Sequence, residues 1–131
     1  MSPGERVAAA ALALVGARFR LNGRDAAHGL DCIGVVLAAL EAAGVRAEVP
    51  PRQRFGGPGL AAARELAATH GLVCVPEAAS GDVLLGELVP GRFHCAVAVP
   101  GGRVEAHASL RRVVLTPGAA PPELEAWRVG A

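Results

Sequence analysis

The chain has 131 residues, a formal net charge of +1, 19% charged residues and 3% aromatics. This length suits a single domain over residues 1–131, burying roughly two thirds of its unfolded surface around one core. The near-neutral balance and scarce aromatics exclude nucleic-acid binding as its business.

The apolar run Val7 to Ala17, preceded by Arg6, resembles a signal peptide, but Val7, Ala11, Leu14 and Val15 fall at the spacing of a core-facing helix over about Val7 to Val15. A helix is the expectation, without an export signal. No other stretch is long or apolar enough for a membrane span. Gly16 to Gly29 read as a loop rich in Arg, Gly and Asn, in which Arg18, Arg20 and Arg24 are either solvated or set to meet a substrate carboxylate. A second helix is expected from Cys32 to Ala43, stopped by Gly44, and a third from Leu60 to His70, stopped by Gly71. Pro50 to Gly59 form an irregular crossing between them.

Strands are expected near Leu72–Val75, Val83–Leu85, Phe93–Val99, Val104–Ala108, Arg112–Leu115 and Ala126–Val129, with Pro117 to Pro122 as a tether to the last. Helices first and strands after predict an α+β domain, its N-terminal helices packed on a central antiparallel sheet of about five to six strands.

Three cysteines at wide spacing imply neither a disulfide framework nor a Cys-rich zinc site. In Leu30-Asp31-Cys32-Ile33-Gly34, Asp31 is placed to cap the second helix and Cys32 lies in its first turn. The positive end of the helix favours a thiolate there, and its amides can bind an oxyanion. Cys32 also opens the apolar series Cys32, Val35, Val36, Ala39, Leu40, Ala43, so a packing role is equally open. Cys74 and Cys95, inside apolar strands, read as packing residues.

Of four histidines, His28 and His70 have ordinary loop and helix-end explanations. His94 and His107 flank the turn at Pro100-Gly101-Gly102. A two-residue Pro100-Gly101 turn sets Val99 against Gly102 and puts His94 opposite His107, whereas a Gly101-Gly102 turn makes His107 face Ala96; either way the two histidines share one sheet face. Ala96 and Ala98 share that face with His94 and leave room for a helix, such as the one starting at Cys32. Two polar positions on a half-exposed sheet, or a Cys32–His94–His107 zinc site, remain the competing readings.

Taken in order, Gly16-Ala17-Arg18-Phe19-Arg20-Leu21-Asn22-Gly23, Asp31-Cys32-Ile33-Gly34, Gly81-Asp82-Val83-Leu84, Phe93-His94-Cys95-Ala96-Val97-Ala98-Val99 and Ala106-His107-Ala108-Ser109 resemble the NlpC-type cysteine peptidases of the papain-like superfamily. That resemblance spans most of the chain. It implies an endopeptidase for bacterial peptidoglycan stem peptides, of the D-glutamyl-diaminopimelate type, acting through a thioester acyl-enzyme. Cys32 would attack, His94 would shuttle the proton, His107 would orient His94, and neither cofactor nor metal would be needed. Asp31 and Phe19 would support the helix N-terminus and oxyanion site, although Phe19 stands where many members carry Tyr and lacks its hydroxyl. Ile33 replaces the usual Ser, as in members associated with phage tails and gene transfer agents, which implies particle-borne delivery to the wall with such components as partners. A catalytically silent structural domain of a phage-like particle, or a papain-like acyltransferase or amidase, is the alternative.

Overall fold

A computed structural model describes residues 1–49 and 59–130. Helix α1 spans Pro3–Ala13, α2 Cys32–Glu41 and α3 Leu60–Thr69. Two short strands, β1 (Arg24–Asp25) and β2 (Gly29–Leu30), precede α2, and β3 (Leu72–Val75), β4 (Val83–Val89), β5 (Arg92–Val99), β6 (Gly102–His107), β7 (Arg112–Pro117) and β8 (Leu124–Val129) follow α3. These six make one antiparallel sheet in the order β3-β8-β4-β5-β6-β7. The α+β architecture with a six-stranded sheet is as expected. The Pro50 to Gly59 crossing falls almost wholly outside the described residues.

Helix α1 begins four residues earlier than its apolar run suggests, because Ser2 and Glu5 form a reciprocal capping box with Pro3 in the first turn. Its buried face is Val7, Ala8 and Ala11, while Val15 lies past the helix end and is exposed. Among the described residues no helix is long and apolar enough to cross a membrane. Helix α3 closes at Gly71 (φ 85°) as expected, whereas α2 ends at Glu41 with Ala42 as its cap, earlier than expected, and Gly44 (φ 78°) ends the turn that follows. The pair β1–β2 lies inside the stretch expected to be loop, since two-residue strands carry no periodicity to read.

Most of α2 is buried, from Cys32 through Val36 and at Ala39 and Leu40, so it is the central helix rather than a half-exposed one. Together with α1 it covers the sheet face formed by Val83, Leu85, Cys95, Val97, Val99, Val104 and Val113. Each fully buried valine or leucine there contributes about 1.5–3 kcal/mol. The opposite face carries a smaller cluster of Leu84, Ala96, Ala98, Leu124 and Ala126. Ala96 and Ala98 therefore do not make room for α2: strand alternation sends them to the other side. Cys95 is buried as expected, but Cys74 is exposed, because β3 is an edge strand.

Candidate active site

The N-terminus of α2 is fixed by one buried carboxylate. Asp31, in extended conformation and 1% exposed, accepts hydrogen bonds from Gly34 N (2.8 Å), Asn22 N (2.9 Å) and Arg24 Nη1 (2.8 Å). It thereby ties the preceding loop to the helix that opens with Cys32. Arg24 is spent on this ion pair, so it is a structural residue and not a free substrate contact. Close packing explains two glycines here. A Cβ on Gly34 would lie 2.1 Å from the Gly23 carbonyl oxygen, and one on Gly23 would lie 2.2 Å from that of Gly29. Helix geometry gives the first-turn amides of Cys32 and Ile33 no carbonyl of their own helix, while Gly34 N and Val35 N are satisfied by Asp31.

Cys32 itself is 6% exposed and its thiol is hydrogen-bonded to His94 on β5. The ring nitrogen Nε2 of His94 meets Glu105 Oε1 at 2.6 Å, which leaves Nδ1 as the nitrogen for the sulfur. Glu105, on β6 and buried, also accepts from Arg103 Nε (3.1 Å) and from the Thr116 hydroxyl on β7. Burial works against charge on both groups and is outweighed. Hydrogen bonds to Cys32 and Glu105 hold the His94 imidazole up at about 9, and bonds from His94, Thr116 and Arg103 hold the Glu105 carboxyl down at about 2. The arrangement favours an imidazolium beside a carboxylate, partly shielded from water.

The expectation for His107 needs correcting. The turn is Pro100-Gly101 and Val99 pairs with Gly102, the first of the two expected registers. Among the described residues, however, β5–β6 pairing stops at Val97–Val104, although β5 stays paired to β4 down to Arg92. Beyond that point the longer Glu105 side chain, two residues nearer the turn than His107, reaches His94 on the diagonal. His107 turns toward the β6–β7 connection, where its Nδ1 accepts from Leu110 N (3.2 Å). Glu105 was missed, although it is the one carboxylate in Gly102–His107 and shares the strand face of His107.

The remaining residues have local explanations. Phe19 is half-buried against the main core, bridges Leu30 in parallel and donates its N–H to Arg111 O (3.0 Å), and its ring brings no hydroxyl. His28 pairs with Asp25 on the surface, and His70 bonds Leu66 O within α3. Among the described residues no three His, Cys, Asp or Glu side chains are grouped to hold a metal ion. An apolar cavity of about 80 Å³ between α2, α3 and the sheet, lined by Ile33, Val36, Leu66, Phe93 and Cys95 among others, contains none of Cys32, His94 and Glu105.

No protein-family model matches the chain and no curated protein matches its sequence. Solved structures do match. NlpC1 from Trichomonas vaginalis is similar with TM-score 0.68 and 18% identity, over 96% of this chain and 43% of that one. The NlpC/p60 domain of the peptidoglycan hydrolase SagA gives 0.59 and 23%, over 87% and 88%. RipD from Mycobacterium tuberculosis, described as a non-catalytic NlpC/p60 domain protein adapted to peptidoglycan binding, gives 0.59 and 18%, over 98% and 97%. The chain spans under half the length of NlpC1 and of NlpC2 from the same organism.

Proposed function

From the NlpC/p60 fold, a papain-like arrangement of three helices and a six-stranded antiparallel sheet, we propose that this chain is a cysteine peptidase cutting peptidoglycan stem peptides, with Cys32 as nucleophile, His94 as acid and base, and Glu105 in place of His107 as the residue that orients His94. The observation that carries the reading is the continuous Cys32–His94–Glu105 hydrogen-bonded chain at the N-terminus of a buried helix.

In this reading the Cys32 thiolate attacks the scissile carbonyl carbon and the developing oxyanion is met by amides of the first turn of α2. The His94 imidazolium gives its proton to the leaving amine, and the C–N bond breaks to leave a thioester on Cys32. Neutral His94 then takes a proton from water, whose oxygen attacks the thioester and releases a carboxylic acid, regenerating thiolate and imidazolium. Throughout, Glu105 keeps Nε2 protonated so that Nδ1 does the chemistry. Hydrolysis next to D-glutamate, and delivery on a phage-like particle, rest on the sequence resemblance alone.

The test is incubation of purified sacculi or stem peptides with wild type and Cys32→Ala under reducing conditions. Fragment release by wild type alone is expected. Equal release by both, or release by neither, contradicts the reading. A second reading, a silent wall-binding domain, is favoured by Phe19 and by RipD as a non-catalytic example of the fold. It predicts that Cys32 reacts with a neutral alkylating probe no faster than an ordinary thiol, and that His94→Ala leaves the rate unchanged.

A further inference from the structure

The two oxygens of Glu105 have different partners. Oε1 meets Nε2 of His94 at 2.6 Å, whereas Oε2 takes Arg103 Nε at 3.1 Å and the Thr116 hydroxyl. The strand register puts both donors there. Arg103 and Glu105, two apart on β6, share a face, and Thr116 on β7 pairs directly with Arg103 and so points the same way. Glu105 itself pairs with Val114, which leaves Thr116 one diagonal step away.

The backbone holds Glu105 from one side. Toward β7, pairing runs unbroken from Gly102–Pro117 to His107–Arg112, while toward β5 it stops at Val97–Val104, one residue before Glu105. Among the described residues no β5–β6 pair therefore sets the spacing between Glu105 and His94, and the carboxylate is held from the side where Thr116 and Arg103 stand. The side chains of Arg103 and Glu105 are 13% and 7% exposed, so water competes little for these bonds. Burial opposes the charge on Glu105, and bonds from His94, Thr116 and Arg103 overcome it, leaving the carboxyl at about 2. A carboxylate whose other oxygen is bonded in this way is a poor acceptor of the His94 proton. Transfer of the Nε2 proton to Glu105 would leave the remaining proton on Nδ1, the nitrogen that serves Cys32.

We propose that Thr116 and Arg103 are positioning residues, which hold Glu105 by Oε2 in place of the absent β5–β6 pairing and so fix the ring of His94 with a proton on Nε2. They act on the chemistry only through Glu105. The effect on rate rests on the reading of Cys32 and His94 as the reactive pair; the effect on the His94 proton does not.

Proton NMR of the reduced, substrate-free protein reads this arrangement whether or not Cys32 cuts. A proton held between an imidazole nitrogen and a carboxylate is strongly deshielded and slow to exchange, and His94 should give such a resonance, absent in His94→Ala. Thr116→Val keeps the shape and the strand preference but not the hydroxyl, and should move the resonance upfield and speed its exchange with water about tenfold. Thr116→Ser should keep both close to wild type. Adding Arg103→Gln to Thr116→Val should abolish the resonance. In stem-peptide hydrolysis Thr116→Val should lower kcat about tenfold and leave KM within about twofold. No such resonance in wild type, a resonance unchanged by the double change, or a Thr116→Ser protein that behaves like Thr116→Val would overturn the proposal. A resonance that responds as expected in a protein that cuts nothing would contradict the peptidase reading and leave the positioning role standing. If circular dichroism shows the double variant misfolded, Thr116→Val and Thr116→Ser carry the comparison.

Discussion

Asp31 and Glu105 are both buried carboxylates that accept three hydrogen bonds, yet they do different things because their donors differ. Asp31 takes two backbone amides and Arg24, and so fixes the path of the chain into α2. Glu105 takes Arg103, Thr116 and the titratable ring of His94, and so connects the sheet to a proton that can move. A carboxylate surrounded by fixed donors holds a structure. One that shares a donor with an imidazole sets how that imidazole ionises.

Breaking the Glu105 side should cost the most activity. Glu105→Gln is expected to lower the rate of stem-peptide hydrolysis by about 10²–10⁴-fold, measured as kcat with purified peptide. Breaking the Asp31 side should cost mainly stability. Asp31→Ala removes the cap and leaves Arg24 and two amides unpaired, which should lower unfolding free energy by about 3 kcal/mol in urea titrations. A loss of activity with no loss of stability in Asp31→Ala would erase the contrast.

The pH dependence sharpens it further. His94 has its folded pKa raised from 6.5 to about 9, so its contribution to stability is complete below 6.5 and is lost as pH rises through about 9. Glu105 is lowered from 4.5 to about 2, so its contribution is complete above 4.5 and is lost as pH falls through about 2. Urea midpoints followed across pH should show both slopes in wild type. In Glu105→Gln the acid slope should shrink and the alkaline one, still starting near 6.5, should end below about 9. The smallest effect is expected at the oxyanion side, where Phe19→Tyr should raise kcat by no more than about tenfold, the ring being already held against the core.

Much of this was written in the chain. Asp31 before an apolar series marked the start of α2, Gly71 marked the end of α3, and one of the two turns open in the sequence, Pro100-Gly101, is the one formed, with Val99 on Gly102. The start of α1 is set by Ser2-Pro3-Gly4-Glu5, ahead of the apolar run that alone reads as the helix. What alternation cannot encode is where a ladder ends. Parity put His107 on the face of His94, but the end of pairing at Val97–Val104 and the reach of a longer side chain bring Glu105 to His94 instead.

The central claim, that Glu105 and not His107 completes the site, is tested most directly by stem-peptide hydrolysis with Glu105→Gln and His107→Gln side by side. Loss of about 10²–10⁴-fold in the first, and a change within about tenfold in the second, is the predicted result. Full activity in Glu105→Gln with activity abolished in His107→Gln would contradict it.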